Sequence, residues 1–321
     1  MHTYDGERNT VFLLSGGAGR IITAIPALEK YARLNPDDDF KVLIYGWESL
    51  YWNHPLLQDR TFSANQKGIF DLIIKTHNLY QPEPYHRWTY YNQQKSLVEA
   101  FDEEINNTQD HSDLEKPNLY LHSKEIDDAK NFLDKLKDDF KRDKIVVIQP
   151  FGAAAHIEND KFIDPTQRSI RRSAYLDLIR DMPKNYGFLY FGPRDLISKA
   201  DQYSLVPPDL DLRAWMSLIS QSDYFVGVDS VGQHMARALE KKGLIVMGST
   251  FEKNVSYPDY DKFTFYRNEN ARAKYSPIRI GGMDSEMADR LNEDVMKFST
   301  EQVKEMKGII LKELKGAKSK S

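Results

Sequence analysis

One segment concentrates residues that handle anions. Asp229-Ser230-Val231-Gly232-Gln233-His234 joins the apolar run Tyr224–Val228 to a helical stretch from Gly232 to Lys241. A small, hydroxyl-bearing turn at that place offers backbone N–H groups and a positive helix end, which suits a diphosphate. Ser230 and the N–H groups near Gly232 would line such a pocket, and His234 would donate to a phosphate oxygen. The plainer alternative is an Asp or Ser helix cap beside a partly buried histidine. A second turn, Gly17-Ala18-Gly19, sits where the run Val11–Leu14 gives way to a helical pattern. Glycines there let the backbone approach a ligand. A dinucleotide fold also wants an acidic residue at the end of the second strand for the ribose. Glu48 stands about there, so an NAD(P)-dependent oxidoreductase is one reading, although the third glycine is missing and position 20 is Arg.

Other chemistries are poorly supported. The chain has no cysteine, which removes thiolate catalysis, thiolate metal sites and disulfides. Its eight histidines are scattered, with no pair at ligand spacing. Asp37-Asp38-Asp39 and Asp209-Leu210-Asp211 read as turns and caps. Neither a metal nor a permanently bound cofactor is expected. The net charge of −4 argues against a general nucleic-acid coat and leaves a local basic groove open. No stretch is apolar enough to span a membrane. The segment Met1 to Arg8 is polar where a signal peptide needs a basic and then an apolar stretch. The chain is therefore expected in the cytoplasm, or in the host's if it is phage-encoded.

The 321 residues favour two domains. Strands are expected at Val11–Leu14, Lys41–Tyr45 and Ile69–Ile74, near-continuous apolar runs of the kind covered by helices on both faces. Helices are expected from Ile21 to Leu34, Gln93 to Ile105 and Ile126 to Leu136. Between them lies an aromatic stretch, Tyr80 to Tyr91, read as a long loop. The pattern restarts after the charged Lys137–Lys144 with strands at Ile145–Ile148, Gly187–Phe191, Tyr224–Val228 and Leu244–Met247. Helices from Ser173 to Met182, around Trp215 and after Gly232 alternate with them, which implies parallel sheets. Ser299 with Gln302 announces a final helix through a capping box. The expected division is 1–140, 141–297, and a terminal helix and tail at 298–321 that returns towards the first domain.

Three blocks in this order resemble the heptosyltransferase-like glycosyltransferases (glycosyltransferase family 9, GT-B fold). The first is Gly19-Arg20-Ile21-Ile22-Thr23-Ala24-Ile25-Pro26-Ala27-Leu28, which is similar to that family's strand–Gly–helix start with its Pro-Ala-Leu. The second is Ile148-Gln149-Pro150-Phe151-Gly152 followed by the basic loop Arg168 to Tyr175. The third is Asp229 to Leu239 with Gly248-Ser249-Thr250, and Asp294-Val295-Met296 to Val303 is similar to the closing helix. The resemblance implies an α/β fold of two Rossmann-like domains facing across a cleft. The C-terminal domain would hold a nucleotide-diphosphate sugar as donor substrate and the N-terminal domain the acceptor. Asp229, Ser230, Gly232, Gln233 and His234 would contact the diphosphate and ribose. Arg168 would neutralise phosphate, since a guanidinium can pair two oxygens at once. Arg171 and Arg172 are near enough to share that role. Gly17, Gly19 and Gly152 would border the cleft.

One position departs from the family. An acidic residue, the general base, is expected directly after the N-terminal glycine, and Arg20 stands there. Arginine cannot accept a proton at neutral pH. Arg20 is therefore expected to bind an anion, and a replacement base is sought at strand C-termini, at Glu48 or His77. The implied activity is an inverting, metal-independent sugar transfer to an acceptor hydroxyl. The acceptor is a saccharide or, because the Tyr80–Tyr91 rings could stack on a base, a hydroxymethylated DNA base of the phage type. A sugar-nucleotide-binding protein that lost its base is the alternative outside the enzymes.

Overall fold

The structure, a computed structural model, describes residues 8–197, 204–248, 250–268 and 296–316. Ser249, Asp294, Val295 and the ends Met1–Glu7 and Lys318–Ser321, all read above, lie outside them. The chain divides into two compact units, Met1–His122 and Ser123–Ser321.

The first unit is built on a four-stranded parallel sheet. Its elements run β1 (Thr10–Leu14), α1 (Ala18–Thr23), α2 (Ile25–Leu34), β2 (Lys41–Ile44), β3 (Thr61–Ser63), α3 (Ile69–Leu72), β4 (Asn78–Tyr80), α4 (Trp88–Tyr91) and α5 (Leu97–Asn106). The strand order is β3-β2-β1-β4, so the direction of winding reverses between β1 and β4. Phe12 on β1 anchors the core edge-on against Tyr31, Phe40 and Tyr80. The expected strand at Ile69–Ile74 is instead α3 and a 3-10 turn, Ile74–Thr76. Ile69 and Ile73 are buried while Phe70 and Leu72 are 62% and 68% exposed, a helical spacing that a short apolar run hides. The third strand of the unit is Thr61–Ser63, and Asn78–Tyr80 follows it. α5 starts later than expected, at Leu97, because Ser96 and Glu99 cap it reciprocally.

The second unit continues α6 (Ser123–Phe140), β5 (Lys144–Gln149), β6 (His156–Glu158), β7 (Lys161–Ile163), α7 (Arg172–Arg180), β8 (Tyr186–Tyr190), β9 (Ser204–Leu205), α8 (Leu212–Gln221), β10 (Tyr224–Val228), α9 (Val231–Ala238), β11 (Gly243–Met247), α10 (Glu252–Val255), β12 (Phe263–Arg267) and α11 (Thr300–Gly316). Its main sheet is six-stranded and parallel throughout, in the order β12-β11-β10-β5-β8-β9. Counted from β5 this is the 3-2-1-4-5-6 order of a doubly wound dinucleotide fold, with its switch point between β5 and β10. β5, β10 and β11 are buried along nearly their whole lengths, which explains why they read as unbroken apolar runs.

Two boundary expectations are corrected. α6, placed with the first domain by the sequence, packs on α8 in the second unit, with Glu125 paired to Arg213 and Ala129 and Leu133 buried. α11 begins at the expected Ser299–Gln302 capping box. Rather than returning to the first unit, it packs on α7 and seats Val303, Met306, Ile310 and Leu314 in the second unit's core.

Candidate functional site

In open parallel sheets, ligands bind beyond the strand C-termini at the switch point. In the second unit that place is framed by Gln149, which ends β5, and Asp229-Ser230, which follow β10. Gln149 bridges the two. Its Oε1 accepts the Gly232 N–H at 2.9 Å, and its Nε2 donates to Ser230 Oγ at 3.2 Å. Gly232 must lack a side chain, because a Cβ would lie 2.4 Å from Gln149 Oε1 and 2.7 Å from Phe225 Cζ. Its glycine therefore serves close helix–strand packing, and its N–H is already occupied. Gln233 is fully buried and donates to Asp229 Oδ1 at 2.9 Å and to the Val255 carbonyl at 3.1 Å. Both bonds come from Nε2, and the buried Oε1 accepts none among the described residues.

The groups still able to meet an anion are Ser230, His234 and Arg168. Ser230 Oγ accepts from Gln149, which leaves its own hydrogen to give. His234 is buried, and burial with the nearby Arg168 charge pushes its pKa down to about 3. The ring is thus neutral at physiological pH. Its Nδ1 lies 2.9 Å from the Tyr257 hydroxyl. Burial drives the Tyr257 phenol well above its ordinary range, so it stays protonated and is able to donate to Nδ1. In that arrangement Nε2 carries the hydrogen that a phosphate oxygen would accept. Arg168, about a quarter exposed, lies 3.7 Å from Asp229 Oδ2 through Nη1. Asp229 thus pairs with Arg168 and accepts from Gln233.

Sequence reasoning missed the residue that holds Arg168. The buried Asp164 carboxylate accepts five hydrogen bonds from the loop that follows it: Thr166 N and Oγ1, Arg168 N, and Ser169 N and Oγ. Thr166 Oγ1 in turn accepts from Arg168 Nε at 3.1 Å. The signal was present in Asp164-Pro165-Thr166, an acidic residue whose side chain meets the backbone two residues on. The same loop engages Gly152, whose N–H donates to Ser169 Oγ at 2.8 Å. Arg171 precedes α7 and Arg172 opens it.

In the first unit the turn after β1 is exposed at Gly16 and Gly17. The conformation demands glycine at Gly16, whose φ is +100°, and not at Gly17, where a Cβ would meet nothing. Gly19 lies within the six-residue α1. Trp47 Nε1 donates to the Gly16 carbonyl at 3.0 Å, which ties the segment after β2 to this turn. Glu48 follows in that segment, half-buried, with Oε2 buried and unbonded. His77 is corrected. It precedes β4 instead of ending a strand, and the pairing of Thr10 with Asn78 puts it at the N-terminal edge of the sheet. Its Nδ1 lies 2.8 Å from the Ile73 carbonyl. A five-residue strand is roughly 16 Å long, so His77 and Glu48 stand at opposite edges.

Arg20 is corrected too. Its Nη2 donates to the Pro82 carbonyl at 3.0 Å and to Glu83 Oε2 at 3.1 Å. The guanidinium lies over the Tyr85 ring at 4.9 Å and 5.7 Å from that of Phe101. The anion it binds belongs to the protein. The aromatic stretch likewise packs on its own unit: Tyr80 bonds Glu104, Tyr90 is buried, and Tyr85 lies against Tyr90. Trp88 is its exposed member, at 57%.

No family model matches this sequence, and no curated protein does. Solved structures do. The family 9 glycosyl transferase from Veillonella parvula is similar at a TM-score of 0.70 and 11% identity, over 97% of this chain and 98% of that one. The chain has the family 9 glycosyltransferase fold. E. coli ADP-heptose LPS heptosyltransferase II gives a TM-score of 0.61 at 12% identity, over 90% of this chain and 98% of its own. TibC, an iron-containing dodecameric glycosyltransferase from enterotoxigenic E. coli, gives 0.59 at 10% identity, over 96% and 76%. A further TibC structure is a complex with ADP-D-beta-D-heptose. Among the described residues, no group of three or more His, Asp or Glu side chains is placed to hold a metal ion, and no helix is long and apolar enough to cross a membrane.

Proposed function

We infer that the chain is a glycosyltransferase that moves a sugar from a nucleotide-diphosphate donor to an acceptor hydroxyl. The observation that carries this reading is the switch point of the second unit, where Arg168, Ser230 and a neutral His234 stand together in a family 9 fold. Arg168 supplies the positive charge, and Ser230 and His234 supply hydrogens. Their task is to hold the diphosphate and to stabilise the charge that builds on it as the sugar leaves. Fixed donors of this kind serve a departing diphosphate without a metal.

The transfer inverts in one step through one proton acceptor. The acceptor oxygen attacks the anomeric carbon, the bond from that carbon to the diphosphate breaks, and the hydroxyl proton passes to a carboxylate. The E. coli and TibC neighbours name ADP-heptose, which makes an ADP-sugar the first donor to try. Arg20 is bound to Glu83 and the aromatic loop is bound to its own unit, so neither favours a DNA base, and a saccharide is the preferred acceptor.

A thermal-shift screen of ADP-, UDP-, GDP- and CMP-sugars against NAD(P) tests the reading. Stabilisation by one sugar nucleotide is expected, and stabilisation by NAD(P) alone would replace it with the oxidoreductase. ADP-sugar binding without turnover on any acceptor would leave a binding protein.

A further inference from the structure

The residue after the glycine turn cannot take a proton, yet its side chain leads to one that can. The Arg20 Cδ passes over the turn so closely that a Cβ on Gly16 would meet it at 3.1 Å. The guanidinium then ends on Glu83 Oε2, 63 residues further along the chain. Glu83 lies three residues beyond Tyr80, the last residue of β4, and Tyr80 pairs with Phe12 of β1. Glu83 therefore follows the C-terminal end of β4, while the glycine turn follows the C-terminal end of β1. These two strands flank the switch point of the first unit, the position at which open α/β sheets bind their ligands. Glu48 is displaced from it, beyond β2 on the far side of β1.

The two oxygens of Glu83 differ. Oε2 is held by Arg20, whose own plane is confined by the rings of Tyr85 and Phe101. The Glu83 backbone N–H is fixed as well, donating to Glu104 Oε2 at 3.2 Å. Oε1 is buried and accepts no hydrogen bond among the described residues, although 30% of the side chain is exposed. A buried carboxylate oxygen without a donor is costly unless something supplies one. A sugar hydroxyl is a donor of the right kind.

We propose that Glu83 is the general base of the transfer, with Oε1 accepting the proton of the acceptor hydroxyl and Arg20 acting as its positioning residue. The assignment rests on the transferase reading above. As the acceptor oxygen forms its bond to the anomeric carbon, the proton moves to Glu83 Oε1. The carbon–oxygen bond to the diphosphate breaks, and the nucleoside diphosphate leaves with the bonding pair. Glu83 returns the proton to water after product release. The carboxylate assigned to take the proton thus stands beyond the end of β4, and Arg20 in α1 holds it.

The test uses the full chain and the sugar nucleotide that binds most tightly in the screen of ADP-, UDP-, GDP- and CMP-sugars. Release of the nucleoside diphosphate is followed with water and with a panel of soluble saccharides. Glu83→Gln keeps the length of the side chain and an oxygen for Arg20. It is expected to lower kcat at least about 100-fold. Donor affinity by calorimetry should stay within about twofold, and the acid limb of the rate–pH profile should disappear. A larger fall in kcat for Glu48→Gln than for Glu83→Gln overturns the assignment. If Glu83→Gln does not fold, Glu83→Asp takes its place. A lowered rate with the acid limb retained supports the assignment, and a full rate overturns it. A wild-type chain that turns over donor while Glu83→Gln matches it overturns the base assignment alone. A wild-type chain that neither binds nor turns over any of the donors overturns the transferase reading, and this assignment falls with it.

Discussion

Gln149 and Gly232 are 83 residues apart in the chain and joined by one hydrogen bond, from the Gly232 N–H to Gln149 Oε1, at the switch point between β5 and β10. The bond fixes the first turn of α9 against β5, and it requires the space that a side chain at Gly232 would fill. Gly232→Ala is expected to force Gln149 and the buried Phe225 apart, since its Cβ would sit within 2.4 Å and 2.7 Å of them. Overpacking of this kind costs about 1–3 kcal/mol. Urea unfolding of the variant beside wild type measures it, and an unchanged midpoint would show that the turn relaxes freely.

Asp164 should matter both for stability and for binding. Its carboxylate gathers Thr166, Arg168 and Ser169. Asp164→Ala would leave these donors inside a buried loop with no acceptor, at a cost of about 3 kcal/mol. Arg168 would lose the frame that aims it. A lower melting temperature together with weaker sugar-nucleotide binding is expected. A drop in stability alone, with unchanged binding, would separate the loop from the site.

His234 predicts a pH dependence of stability. Its pKa in the folded chain is about 3, against 6.5 for a free imidazole. Below about 6.5 the unfolded state takes up a proton that the folded state refuses until about pH 3. The stability present above that window is therefore lost progressively as pH falls through it. His234→Gln has no such proton to refuse. The gap between wild type and variant in thermal melts should be widest near pH 7 and should narrow towards pH 4.5. A constant gap would mean that the imidazole titrates normally when folded.

The second unit was more legible in the sequence than the first, for a physical reason. β5, β10 and β11 are covered on both faces, so each reads as a continuous apolar run. Thr61–Ser63 and Ser204–Leu205 are strands of three and two residues, too short to carry a period, and neither was seen. Ile69–Ile74 was apolar enough for either element, and only its burial pattern separates helix from strand. The polar turn at Ser230 and His234 was visible because small and polar residues interrupt two regular elements there. What satisfies those residues was not visible. Gln149, Asp164 and Glu83 act on partners brought to them by the sheet order, and Arg20 could not be told from a free cation until Glu83 was found beside it.

On the proposed function, the second unit binds a sugar nucleotide through Arg168. Isothermal titration of wild type and Arg168→Ala with an ADP-sugar, and separately with NAD(P), tests it most directly. Wild type is expected to bind the sugar nucleotide, Arg168→Ala to bind it at least tenfold more weakly (about 1.4 kcal/mol), and neither to show comparable affinity for NAD(P). Equal affinity of the two proteins for the sugar nucleotide, or binding of NAD(P) alone, would contradict it.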